Sequence, residues 1–98
     1  MNVLRRLILA GLTLAGGFAP ERWKPILYGV VFAVGRIDLP EGDPRLAKLA
    51  ETTAELIEDV STALQETDAK VLEALRLAAE VKATRALADL GFLPGVRP

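Results

Sequence analysis

Between residues 45 and 90 the sequence contains neither glycine nor proline. These two residues interrupt helices more than any others, and the stretch is rich in Ala, Leu, Glu, Lys and Arg, which favour helices. Asp43 is a good N-cap, and Pro44 fits the first helical position, where its missing N–H costs nothing. At the other end, Gly91 fits the left-handed position after a helix, and Pro94 prevents its continuation. The sequence therefore predicts one long helix across this stretch.

The apolar residues of the predicted helix recur at the heptad spacing of a coiled-coil seam. This phase continues through Thr67 and Asp68, which favours a continuous helix, although both residues are poor in mid-helix and good as caps. An antiparallel pair that folds there is the alternative. A straight helix would be about 70 Å long, so we expect it to pack against a second copy or a helical partner. The large apolar residues of this amphipathic, coiled-coil-like seam are Leu46, Ile57, Val60, Leu64, Val71 and Val81.

The first part of the chain is hydrophobic and divides into two runs. Residues 7–19 contain no charged residue, and residues 26–34 form a second apolar run. Pro20 and Pro25 bracket the short polar link between them. This pattern predicts a hydrophobic helix or a short helical hairpin, although the second run is also rich in β-branched and aromatic residues, which are typical of a buried strand. The predicted fold class is therefore mostly α, with a possible strand at 26–34.

Charge is divided unevenly along the chain. Residues 1–39 contain five Lys and Arg against two Asp and Glu, whereas residues 40–98 contain seven against eleven. The basic part is also the hydrophobic part, a combination that suits anionic lipid headgroups. The acidic part argues against nucleic acid as a partner, because nucleic-acid binding requires clustered cations. The candidate membrane or interface anchors are cations and aromatic residues in or beside the apolar runs: Arg5, Arg6, Trp23, Lys24 and Tyr28.

Four interpretations of the hydrophobic arm are open at this point. It could be embedded in a bilayer or, in a soluble protein, buried against neighbouring subunits. It could instead be a secretory signal cleaved after Ala19, but Pro20 just beyond that position argues against cleavage. A self-contained soluble α/β fold is the fourth interpretation, and the acidic part of the chain offers it no further strands.

The residue types on which most enzymes and metal sites depend are missing. The 98 residues include no cysteine and no histidine, and Ser61 is the only serine. Thiolate nucleophiles, disulfides, zinc knuckles and iron–sulfur clusters are therefore excluded, and so is an ordinary catalytic triad. The helix carboxylates fall on the predicted polar side and lack the histidine partners of a di-metal bundle. We expect no enzymatic activity, no cofactor and no small-molecule substrate.

The sequence thus predicts a non-catalytic structural protein, a small membrane-anchored helical protein that self-assembles or docks a partner through its C-terminal helix. The alternative is a soluble structural subunit of a larger particle, such as a virion, with the N-terminal arm buried between subunits. The layout resembles that of small phage holins, which also join an apolar N-terminus to a charged helical tail. The predicted segments are the arm at 1–39, the linker and cap at 40–43, the long helix at 44–90 and the tail at 91–98.

Overall fold

The computed structural model describes residues 3–37, 39–40 and 42–91, and these residues are almost entirely helical. No strand occurs among them, so the apolar run at 26–34 is part of a helix. The mostly α fold class is confirmed. Residues 92–98 of the predicted tail lie outside the described residues. The helices are α1 (Val3–Phe18), α2 (Lys24–Arg36), α3 (Pro44–Gln65) and α4 (Ala69–Asp89), and a 3-10 turn (Glu21–Trp23) joins α1 to α2.

The prediction of one long helix over 44–90 is wrong, because a turn separates α3 from α4. Glu66 and Asp68 both adopt extended backbone angles, which end α3 and begin α4. The Glu66 carboxylate accepts from the N–H groups of Thr67 and Asp68 at 3.2 and 3.1 Å, and the Asp68 carboxylate accepts from the N–H of Lys70 at 2.8 Å. These bonds satisfy donors that the break leaves without helical partners, so the cap signal prevails over the unbroken heptad phase.

The turn allows α3 and α4 to lie side by side as an antiparallel pair. Lys82 Nζ on α4 donates to Asp59 Oδ2 on α3 at 2.8 Å, and Lys48 lies 3.7 Å from Asp89 near the other end of the pair. The hydrogen bond to Asp59 raises the pKa of Lys82. In a continuous helix residues 59 and 82 would be about 35 Å apart. The pair buries apolar surface of both helices, which a single straight helix would leave exposed.

The predicted ends of the helical stretch are confirmed. The Asp43 carboxylate caps α3 by accepting from the N–H of Arg45 at 2.9 Å, and Pro44 is the first residue of the helix. The Arg45 side chain also hydrogen-bonds this carboxylate, and that contact lowers the pKa of Asp43. Gly91 follows α4 with a φ of +94°, in the left-handed region that favours glycine.

The four helices form a bundle in which the α1–α2 hairpin lies along the α3–α4 pair. α1 packs against α2 and α3, and α4 also packs against α2 and α3, so α1 and α4 occupy opposite corners. The ion pair of Arg22 with Glu73 places the starts of α2 and α4 at the same end. Gly11 of α1 faces α3, where an added Cβ would lie 3.3 Å from Ile57 Cδ1. The bundle therefore places α1 beside α3 and α2 beside α4.

The core is built from all four helices and from the turn that precedes α2. Leu12 of α1, Leu27 of α2 and Leu56 of α3 are fully buried, and Trp23 is 2% exposed. The arm is therefore covered on one side by the chain's own α3 and α4. The buried residues of α4 itself are all small: Ala79, Ala83 and Ala86.

Two leucines of α1 test this packing. Leu12→Ala is expected to lower the free energy of unfolding by about 2–5 kcal/mol, because it removes a fully buried side chain and leaves a cavity. Leu14→Ala makes the same chemical change at a side chain that is 65% exposed, and should cost no more than about 0.5 kcal/mol. Urea titrations followed by circular dichroism measure both. Similar losses for the two variants would mean that α1 packs through a different face.

The turn between α3 and α4 can be tested by measuring the distance between one residue on each helix. Spin labels on a Lys48→Cys/Asp89→Cys double variant should lie close together, because these side chains form an ion pair across the helix pair. A continuous helix would place the same two positions about 60 Å apart. Pulsed electron paramagnetic resonance separates the two outcomes, and a long distance would restore the single-helix prediction.

Candidate interaction surface

The outward side of α1 is apolar along most of its length. Leu7, Leu14 and Phe18 are 63, 65 and 67% exposed, and Val3 is 58% exposed. Together with the exposed Ala10, these residues recur every three or four positions and so share one side of the helix, which we call the α1 face. The remaining α1 side chains contribute no charge between residues 7 and 19. A helix that is hydrophobic on all sides is normally buried on all sides.

A groove between α1 and α3 extends this apolar surface. Leu14 and Phe18 line one side, and Ile57 and Leu64, which are 38 and 55% exposed, line the other. The groove has a volume of about 280 Å³, and Ser61 supplies its only polar side chain. Large exposed apolar patches mark sites of interaction with proteins, membranes or ligands. The α1 face and this groove together form the candidate interaction surface.

Two of the predicted anchors, Arg5 and Lys24, bind backbone carbonyls of the α1–α2 hairpin itself. Lys24 Nζ donates to the carbonyl of Gly16 at 3.0 Å and to that of the next glycine at 3.2 Å. Arg5 Nη2 donates to the carbonyl of Val34 at 3.0 Å and to that of the next glycine at 3.1 Å. These carbonyls belong to the last turns of α1 and α2, where they lack helical donors and attract positive charge. Each cation therefore caps the neighbouring helix.

The other three predicted anchors lie in different environments. Trp23 is in the core, where its ring is packed rather than presented to a surface. Tyr28 is 41% exposed and lies against Gly16, where an added Cβ would lie only 2.9 Å from the tyrosine ring. Arg6 is exposed at the start of α1. Sequence reasoning missed Phe32, which is 63% exposed on α2 with the Arg36 guanidinium 4.4 Å from its ring centroid.

The two hairpins differ in charge. Residues 3–37 contain five Lys and Arg, and Glu21 is the only acid, whereas residues 42–91 contain six Lys and Arg against ten Asp and Glu. The apolar surface of α1 therefore belongs to a basic layer that lies on an acidic one. Such a division separates positive from negative potential on the two layers of the molecule.

The predicted seam is divided among several environments. Leu46 and Val60 are buried in the core. Ile57 and Leu64 line the groove beside α1, so they face the arm rather than a second long helix. The two seam residues of α4 are exposed, Val71 to 41% and Val81 to 51%. A single continuous seam therefore does not exist, because the turn places its two halves on separate helices.

The described part of the chain contains no group of His, Cys, Asp and Glu side chains that could hold a metal ion. None of the helices within these residues combines the length and the apolar character needed to traverse a bilayer. No protein-family model, no curated protein and no solved structure matches the chain.

The capping role of Lys24 can be measured as stability. Lys24→Met keeps a long apolar stem but removes the ammonium from the last carbonyls of α1, and should lower the free energy of unfolding by about 1 kcal/mol. Lys70→Met, at an exposed position in the first turn of α4, is the matched control and should change it by less than about 0.5 kcal/mol. Urea titration measures both variants. Equal effects would show that Lys24 does not stabilise the hairpin.

Proposed function

We propose that this protein is a non-catalytic structural protein that attaches to the surface of an anionic membrane through its α1–α2 hairpin and presents its α3–α4 pair to a partner. The observation that carries the proposal is the α1 face, where Leu7, Leu14 and Phe18 are each more than 60% exposed. Each Å² of apolar surface that leaves water contributes about 25 cal/mol, so this face favours an apolar environment.

Attachment at the membrane surface suits the length and the orientation of α1. A helix of 16 residues is about 24 Å long, short of the roughly 30 Å of a hydrocarbon core. A helix that lies in the plane of the interface needs no such length, because only its apolar side enters the boundary between headgroups and acyl chains. The opposite side of α1 stays packed against the bundle.

Charge supports an anionic lipid as the partner of this hairpin. A cation near such a surface contributes about 1 kcal/mol, and the exposed Arg6 and Arg36 lie at the end of the hairpin where α1 begins and α2 ends. The acidic α3–α4 pair is repelled by the same lipids, so the two layers favour one orientation. The α1 face also lacks charges that would fix the register of a protein partner, and lipid requires no register.

Vesicle flotation tests the proposal directly. The full chain should float with vesicles of phosphatidylglycerol and phosphatidylcholine, and less with phosphatidylcholine alone. Leu14→Glu should weaken binding about tenfold or more, because it removes one large apolar side chain from the interface and adds a negative charge. Ala54→Glu adds the same charge at an exposed position on α3 and serves as the matched control, which should bind like the unmodified chain.

Two outcomes would overturn membrane attachment. The first is no flotation of a folded chain, and the second is equal flotation of the Leu14→Glu and Ala54→Glu variants. Recovery of the expressed chain in a large protein complex that survives carbonate washing without lipid would instead support a subunit of a soluble particle. In that arrangement the same apolar surface would be covered by neighbouring subunits.

A further inference from the structure

The outward side of α4 carries a second apolar stripe. Leu77 and Val81 are each 51% exposed. With the exposed Ala74, Thr84 and Ala88 they alternate at spacings of three and four residues, which is the pattern of a and d positions in a heptad. We call these five residues the α4 face.

Apolar side chains lie on both sides of α4. The side that faces the bundle consists of the buried alanines at positions 79, 83 and 86, together with Leu72 and Leu75, which are partly buried against the core. Leu77 and Val81 instead point away from the bundle, and packing within one chain leaves them half exposed. The apolar side chains on the outer side of α4 leave water only if that side is covered by another molecule.

We propose that the α4 face is the contact between two copies of this chain, with the two α4 helices parallel and in register. In this arrangement the a and d side chains of one copy meet the same residues of the other. The partner is thus a second copy of the same chain. The inference rests on the proposed function for the role of α3–α4 as the presented side, but its test is made without lipid, so that either can fail alone.

The charges beside the α4 face favour the parallel orientation. In the α4 face, residues 74, 81 and 88 occupy a positions, and residues 77 and 84 occupy d positions. Glu80 is then at a g position and Arg85 at an e position. In a parallel coiled coil, a g residue faces the e residue five positions later on the partner. Glu80 of each copy would therefore meet Arg85 of the other, which forms two equivalent ion pairs. Antiparallel helices would instead bring Glu73 and Glu80 of one copy beside the same acids of the other, which repel.

The contacts that Glu80 and Arg85 make within one chain leave both residues able to form ion pairs with a second copy. Glu80 is bound within the chain by Arg76 at 2.8 Å, and its side chain remains 54% exposed. Among the described residues Arg85 forms no ion pair, and it is exposed beside the stripe. Because α1 and α4 lie at opposite corners of the bundle, a pair formed through α4 leaves both α1 faces uncovered.

Cysteine cross-linking tests the pairing and its orientation, because the sequence has no cysteine of its own. Ala74→Cys, Val81→Cys and Ala88→Cys each place a single thiol at an a position. The full chain is used in the Leu14→Glu background, which suppresses association through the α1 face. Mild oxidation should convert all three variants into covalent dimers, because parallel helices in register bring each position within disulfide distance of its own copy.

Thr62→Cys, at an exposed position on α3, is the matched control and should cross-link only at the background level. Cross-linking of the three α4 variants at no more than this level would overturn the pairing. Efficient cross-linking at only one of the three positions would overturn the parallel orientation, because antiparallel helices bring only the residue at their crossing point together.

Exchanging the charges of Glu80 and Arg85 provides a second, independent test, in which sedimentation measures the dissociation constant of the dimer. Glu80→Arg or Arg85→Glu alone should raise the dimer dissociation constant about tenfold, and the double variant should restore it. Arg76 is unchanged in all three, so the double variant cannot restore the pair between Arg76 and Glu80 within one chain. Recovery in the double variant would support the contact between copies, and failure to recover would overturn the proposed register.

Discussion

Two acidic side chains hold the turn between α3 and α4, and the rest of the fold depends on that turn. Glu66 accepts from the two N–H groups that follow it, and Asp68 caps α4. With the turn in place the two helices form a common surface on which the hydrophobic hairpin lies. A single straight helix would give the α1–α2 hairpin one helix to pack against instead of two. Side chains such as Leu12 and Leu27 would then be partly exposed.

The hairpin itself depends on cations that act within the protein. The last carbonyls of an apolar helix lack partners, and the apolar side chains around them provide none. Lys24 supplies donors to the end of α1, and Arg5 supplies donors to the end of α2. The same positions, read from the sequence alone, have the composition of lipid anchors, because a basic residue beside an apolar run is compatible with both roles.

A chain of this size cannot cover every apolar side of four helices, since a domain of about 60 residues buries only about 60% of its unfolded surface and one of 98 residues not much more. Each helix packs mainly against two others, and exposed apolar side chains remain on all four, including Phe32 on α2 and Leu64 on α3. The α1 face and the α4 face are the two stripes along single helices. The α1 face has no charged residue along most of its length, whereas Glu80 and Arg85 border the α4 face. An apolar face can enter lipid without any particular alignment, whereas charged residues must be aligned with their opposites on a helical partner. This difference is the reason for the two separate proposals.

Features that depend on neighbouring residues follow from the residue pattern alone: the helical class, the cap of α3 at Asp43, the end of α4 before Gly91, and the division into a basic apolar part and an acidic part. The capping propensity of Asp68 is visible in the sequence too, but a heptad phase is a local property and does not reveal that its two halves fold back on each other. Which apolar residues are buried depends instead on contacts between the helices. Leu12 and Leu14 belong to a helix that is apolar all round, so their different burial depends on where α2 and α3 pack, and those contacts join residues that are distant in sequence.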